Sequence, residues 1–497
     1  MARESSMGVI VKNAGLDTVA TIFNTIFAFG SSVVVTRTIG AELFGKYALS
    51  NSVFQVLGVF AIFGLNAGVV RLTSKYNAKG DPQRVKGSLA SGMAVSAGIS
   101  VVLVTLVIAL APLLSTKVFT KMQGLDLVLR IHIIALPFYA LMLVMNGYTQ
   151  GFKTLKYTVI VELIMRPAVR LAIIVVLFLL GLRLFGVVIG TVLSFIAAAA
   201  LSFHFARSRS PFDYRSTSTT FVTREMIFYS LPLIFARVMN IIIARSNIIL
   251  VGYYIDPVAT GLFGAALTIS PFISFGLFSF GKIFAPVISD LWERGDRQEL
   301  ENTFKIVTKW CFSLGFPIFI MIMLFAPSLL LVLGPEFAGA AVSLQLLAVG
   351  QIVSALVGPA GHFLAMTGRP KLNLANSIAL AGVNVVLNII FIPRWGINGA
   401  GLAMAISLVA INVARAVEIK LLYGFTPFRQ DLFKPALAGA ITGGLFYLVN
   451  LRLGWHDLLH TLLLCVAFLI VYIMLMSLFG LREEKEIILE VLRRRKQ

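Results

Sequence analysis

The chain has 497 residues, of which 58% are hydrophobic, with a mean hydropathy of +0.91 and a formal net charge of +20. Soluble globular domains are only about half apolar, so this composition excludes an aqueous fold and points to a polytopic membrane protein. The basic excess is read through its distribution along the chain, and not as affinity for nucleic acid.

Residues 1–12 are short and polar, and the apolar run after them shows no small-residue cleavage pattern, so the first stretch is expected to stay as a span. About fourteen such stretches follow one another, each long enough at about 1.5 Å per residue to cross a hydrocarbon core of about 30 Å as a helix. The expected spans are 13–38, 47–70, 87–114, 126–148, 157–180, 185–206, 226–251 and 259–288, then 306–333, 338–360, 372–392, 397–419, 435–449 and 458–479. They are continuous apolar runs, unlike the alternating segments of a membrane barrel. With the N-terminus inside, Lys and Arg gather in the cytoplasm. Arg71, Lys75, Lys79, Arg84 and Lys86 share one loop, Arg207, Arg209, Arg215 and Arg224 another, and Arg493, Arg494, Arg495 and Lys496 the tail. This asymmetry predicts a multi-pass protein of the cell membrane with both termini cytoplasmic, its positive face in contact with anionic membrane lipids and not with nucleic acid. The longest connections, 207–225 and 289–305, leave no room for a soluble domain. The tail LREEKEIILEVLRRRKQ reads as an amphipathic helix on the inner interface.

Enzyme motifs are missing: there is no Walker-type loop, HExxH or GxSxG in the sequence, so neither ATP hydrolysis nor a familiar hydrolase centre is expected. Cys311 and Cys465 lie in apolar spans away from any His or Asp cluster, which supports neither a disulfide framework nor a metal site. Of the five histidines, His362 is the one read as lying within a span near other polar groups, in a packing role. No cofactor is implied.

Internal repetition is the next signal. RTIGAELFGKYALSNSV from Arg37 matches YYIDPVATGLFGAALTIS from Tyr253, with Gly45 against Gly261, an offset of about 216 residues. YTQGFKTLKYTVIVELI from Tyr148 and GLRLFGVVIGTVLS from Gly181 find counterparts in FLAMTGRPKLNLANSIAL from Phe363 and PRWGINGAGLAMAIS from Pro393. Six plus six helices with two left over is the natural parsing: 1–210 and 211–425 as lobes, and 426–497 as two further helices and the tail. Halves that each hold an even number of spans are related by an axis along the membrane normal.

LLLVLGPEFAGAAVSLQLLAVGQIVSAL and GHFLAMTGRPKLNLANSIALAGVNVVLNIIFIPRWGINGAGLAMAIS resemble the polysaccharide-exporter branch of the multidrug/oligosaccharidyl-lipid/polysaccharide superfamily. RTIGAELFGKYAL and WERGDRQELENTFK are similar to the corresponding connections of Wzx-type oligosaccharide flippases. The resemblance covers nearly the whole chain, and it implies an all-α, MATE-like fold whose two lobes alternate access to a central cavity. For the flippase branches it also implies a cargo, a polyprenyl-pyrophosphate-linked oligosaccharide, with polysaccharide-assembly enzymes as partners. A cation-coupled multidrug or metabolite antiporter of the same fold is the alternative reading. A membrane-embedded sugar-polymer ligase or polymerase is disfavoured, because every expected outer loop is short.

The charged residues inside the spans bear on that choice. Arg166 and Arg170 lie in the fifth span, and Arg237 and Arg245 in the seventh. An Arg near a helix centre costs about 2.5–3.5 kcal/mol on insertion scales, so each is expected to face protein or a wet cavity. Glu162, Arg166 and Arg170 follow at i, i+4 and i+8 along one helical stripe. Arg166 is therefore placed either to pair with Glu162 or to bind cargo. Arg170 and Arg237 are assigned to a cationic cavity, since guanidinium binds phosphate oxygens in a bidentate way and keeps its proton. Arg245 either lines the same cavity or snorkels to the outer interface, and Arg415 is expected to snorkel. Asp17 and Glu162 are the candidates for coupling to H+ or Na+, with ion pairing as the alternative for each. Intramembrane amides such as Asn146, Asn247, Asn384, Asn388 and Asn412 are expected mainly to bond between helices. Pro167 is expected to bend the fifth span between its two arginines.

Overall fold

Inside a bilayer no water reaches the backbone, so an apolar segment is stable only when it closes its own hydrogen bonds. The computed structural model describes residues 6–213, 216–453 and 458–479, with side chains from Ala20 onward except at 235–236, 282–283 and 453. These residues are helical almost throughout, and none of them lies in a strand. The side chain of Asp17, Arg215 and the tail 481–497 fall outside the described residues.

Ten helices among the described residues are long and apolar enough to cross a bilayer, or eleven if the bent pair Thr223–Ile234 and Arg237–Tyr254 is one span. Ala20–Ala78, with 59 residues, and Pro370–Tyr423, with 54, far exceed the roughly twenty that one crossing needs. Each is broken at a glycine: Gly40 takes φ 78°, ψ 174° and Gly396 takes φ 59°, ψ −138°. The breaks fall between the first and second expected spans and between the eleventh and twelfth, so each run holds two of them.

The repeat is visible in local geometry. Asp81 caps the Pro82–Leu113 helix by accepting from Arg84 N at 3.0 Å, and Asp296 caps Arg297–Leu330 by accepting from Glu299 N at 3.1 Å. Before each stands a glycine of positive φ, Gly80 and Gly295, and each aspartate N–H reaches back five residues, to Tyr76 O and Leu291 O. The same helix stop and restart is thus built twice.

Repeat partners also meet. A Cβ on Gly45 would stand 1.8 Å from Pro257 O, and one on Gly261 would stand 2.0 Å from Ala41 O. Residues 41 and 257 share the offset of 45 and 261, so the contact is reciprocal, as an isologous contact about a two-fold axis must be. Small residues at such a crossing let backbones approach where apolar burial supplies no drive between helices.

The chain packs as two compact units, Met1–Thr268 with Ser377–Ala400 and Ile269–Asn376 with Gly401–Gln497. This grouping follows packing, whereas the six-plus-six division follows the repeat. The first unit closes over a core that includes Leu49, Leu65, Met122, Leu125, Val144 and Tyr148. On its expected cytoplasmic side the segment before the Thr223–Tyr254 helix is tied down to the second and third spans. Lys86 Nζ donates to Thr217 O at 2.8 Å, Thr220 N to Gln83 O at 3.2 Å and Val222 N to Ser91 Oγ at 2.9 Å. Glu225 accepts from both Lys75 Nζ and Tyr76 OH.

In the second unit one aromatic cluster gathers Phe304, Phe363 and Phe425. Another, with Met321, Phe325, Phe446 and Phe468, seats the last two helices on Arg297–Leu330, where Tyr472 OH donates to Ser313 O at 2.9 Å. Lys309 is 5% exposed and bonds Asp431 at 2.6 Å. Large apolar side chains such as Leu179 (77%) and Leu421 (78%) remain exposed. Such surfaces are unfavourable in water and suit lipid.

Candidate functional site

The site grows from the fifth span. Pro167 has no N–H and its ring crowds the carbonyl four residues earlier, so a regular α-ladder cannot run through it. Val159–Met165 winds as a π-helix, and α-helix resumes at Arg166. In the wider turn the α register that would lay Glu162 beside Arg166 no longer holds. Glu162 accepts instead from Asn146 Nδ2 at 2.7 Å, and Asn146 Oδ1 accepts from Ser202 Oγ at 2.9 Å. The Arg166 guanidinium stands over the Phe195 ring, 5.2 Å from its centroid.

One turn on, Arg170 is held by two neutral hydroxyls. Its Nη2 donates to Tyr47 OH at 2.7 Å and its Nε to Thr191 Oγ1 at 3.2 Å. Tyr47 is itself braced. His132 stacks on it at 5.8 Å and on Phe54 at 5.0 Å, with interplanar angles of 12° and 8°, and His132 Nδ1 meets Ser50 Oγ at 3.0 Å.

The remaining arginines come to the same place. Arg166 lies within electrostatic reach of Arg170, Glu162, Tyr139 and Tyr47. Arg237 acts on Tyr139, and Arg245 on Tyr47. Each of the four arginines therefore acts on Tyr47, on Tyr139 or on both, within the first compact unit. Among the described residues, Arg166, Arg237 and Arg245 make no hydrogen bond or ion pair, and Arg245 Nε is buried without a partner. A snorkelling arginine would place that nitrogen in water.

Elsewhere the intramembrane polar groups bond between helices. Asn388 Nδ2 donates to Asn247 Oδ1 at 2.5 Å and to Asn384 O at 2.7 Å, and Ser246 Oγ to Asn384 Oδ1 at 3.2 Å. Asn412 Nδ2 donates to Ser354 Oγ at 2.9 Å, and Asn376 Nδ2 to Glu418 at 2.7 Å. Arg415, expected to snorkel, bonds Asn373 Oδ1 at 3.3 Å and has a buried Nε. No group of three or more His, Cys, Asp or Glu able to hold a metal occurs among the described residues.

Sequence reasoning missed Tyr47, Tyr139, His132 and Thr191. Tyr47 begins an expected span, where an aromatic residue reads as an interface anchor. His362, singled out earlier, is exposed, whereas His132 is 1% exposed and has a polar partner. The available signal for His132 was its place inside the span 126–148.

A family model described as polysaccharide biosynthesis protein matches residues 10–292, more than half of the chain. The chain belongs to the polysaccharide biosynthesis protein family. A second family model, MatE, matches residues 232–390 of this family member. Stage V sporulation protein B of Bacillus subtilis (strain 168) is 23% identical over 428 residues, covering 79% of this chain and 80% of that protein. Among solved structures, the lipid II flippase MurJ in an inward closed conformation superposes with a TM-score of 0.72 and 15% identity, over 93% of this chain and 98% of that one. An inward-facing multidrug resistance MATE family transporter of the MOP superfamily gives a TM-score of 0.71 at 13% identity, over 83% and 98%. The fold is MATE-like, and the family member is a multi-pass membrane protein.

Proposed function

We propose that the protein turns a polyprenyl-pyrophosphate-linked oligosaccharide from the cytoplasmic to the outer leaflet of the cell membrane, for polysaccharide or glycan biosynthesis. The observation that carries this reading is the set of guanidinium groups around Tyr47 and Tyr139. Three of them make no hydrogen bond or close ion pair among the described residues, and the fourth is held only by hydroxyls. Unpaired guanidinium in a bilayer is costly, and a pyrophosphate supplies the oxygens that such forks bind. The likeness in fold to the lipid II flippase MurJ is compatible with such cargo. In this reading the lobes 1–210 and 211–425 alternate access, 426–497 is appended, and both termini are cytoplasmic. Asp17 and Glu162 are the candidates for H+ or Na+ coupling.

The test is complementation of a strain lacking its oligosaccharide flippase. Wild type restores surface polysaccharide, and Arg170→Ala and Arg237→Ala cripple export at matched expression. Lys at either position restores only part, because an ammonium lacks the planar fork. Normal export by both Ala variants refutes the cationic site, and failure of wild type to complement refutes the cargo.

A further inference from the structure

We propose that the Tyr47 hydroxyl is a fifth contact to the anionic cargo, donating its proton to a phosphate oxygen held by the surrounding arginines. The inference rests on the pyrophosphate reading above and names a neutral donor within that site.

Tyr47 is 8% exposed, so its ring is packed within the protein. Its oxygen is already used as an acceptor, taking Arg170 Nη2 at 2.7 Å. With that lone pair occupied, the hydroxyl hydrogen points elsewhere, and no described residue accepts it. That hydrogen is therefore free to be given to water in the empty site and to an acceptor on the cargo when the site is filled.

The surroundings decide which acceptor. Arg170 bonds the oxygen, Arg166 and Arg245 lie in electrostatic reach of the ring, and no carboxylate is bonded to it. A donor in this field is complementary to an anionic oxygen and not to a cation or a further donor. Arg170 also polarises the phenol: accepting a charged hydrogen bond strengthens the one it donates. The ring is prepared for the task by position, stacked on His132, which also stacks on Phe54 and meets Ser50 Oγ through Nδ1. A phenol adds what a guanidinium cannot, a short O–H···O bond with no additional charge to bury.

The test uses the full-length protein purified in detergent, with inorganic pyrophosphate as probe, read by calorimetric titration and by thermal stability. Tyr47→Phe keeps the stacked ring and removes only the hydroxyl. It should leave the melting temperature without pyrophosphate within a degree or two of wild type and weaken pyrophosphate binding about tenfold, the value of one charge-assisted hydrogen bond. Thr191→Val removes the other hydroxyl that holds Arg170 while sparing the phenol, and should weaken binding much less. Equal losses in the two variants would mean that Tyr47 only positions Arg170, and would overturn the inference. So would a Tyr47→Phe protein that binds as tightly as wild type while Arg170→Ala does not bind, and in that case the cationic site itself survives. If wild type gives no binding heat and no thermal shift with pyrophosphate, this inference and the reading beneath it fall together.

Discussion

Gly45 offers a direct test of the helix crossing that joins the two repeats. A Cβ there would stand 1.8 Å from Pro257 O and 2.8 Å from Gly261 N. Carbon and carbonyl oxygen settle at about 3.3–3.6 Å, so Gly45→Ala must push the two helices apart by roughly 1.5 Å. Overpacking of this kind costs about 1–3 kcal/mol, and the blocking atom is backbone, which cannot rotate away as a side-chain tip could. Gly261→Ala meets Ala41 O at 2.0 Å and should cost about the same. Because both substitutions open one reciprocal contact, the double variant should lose clearly less than the sum of the two. The assay is the melting temperature of the detergent-purified protein, with Gly98→Ala as control. A Cβ at Gly98 meets nothing within 4 Å, and Ala in a helix interior is favoured over Gly by about 0.5–1 kcal/mol. If Gly45→Ala melts no lower than Gly98→Ala, or if the two crossing variants add in full, the reciprocal contact is not as close as described.

Replacing Lys309 with Met removes one of the two cations paired with Asp431, leaving Arg429 Nε at 3.3 Å, and should lower stability by about 1–3 kcal/mol; an unchanged melting temperature would show that the Lys309 pair contributes nothing. Gly87→Ala would drive a Cβ to 1.7 Å from Thr220 O, so the segment before the Thr223–Tyr254 helix should come loose, seen as faster tryptic cleavage between 207 and 224 than in wild type. Lys75→Ala removes an ion pair whose side chains are 39% and 41% exposed, and should leave the melting temperature close to that of wild type. Glu162→Gln keeps an acceptor for Asn146 Nδ2 and removes only the charge. If Glu162 carries the coupling ion, export by this variant becomes independent of pH and sodium. Asp17→Asn tests the other candidate in the same way, and dependence on the ions that matches wild type in both would exclude them.

Much of the architecture could be read from the sequence because membrane insertion is governed by local composition. Twenty apolar residues must form a helix wherever they fall, and the repeat places Gly45 against Gly261 in sequence before they are seen to touch. Pro167 announced an interruption in the fifth span by its chemistry alone, and the price of guanidinium in lipid singled out Arg166, Arg170, Arg237 and Arg245.

Tertiary structure decided which groups answer those charges. The i to i+4 spacing offered Glu162 to Arg166, but the π-turn breaks that register, and Asn146, from another helix, bonds the carboxylate. Tyr47, His132 and Thr191 come from three different spans and meet only after packing, so no window of sequence contains the site. An aromatic residue at a membrane edge and a histidine on an apolar helix have commonplace explanations, and only the angle at which helices cross shows which of them reaches an arginine. The sequence thus determined the spans and the charges within them, because each depends on one helix meeting lipid. The site depends on pairs of side chains far apart in the chain, and folding alone sets those distances.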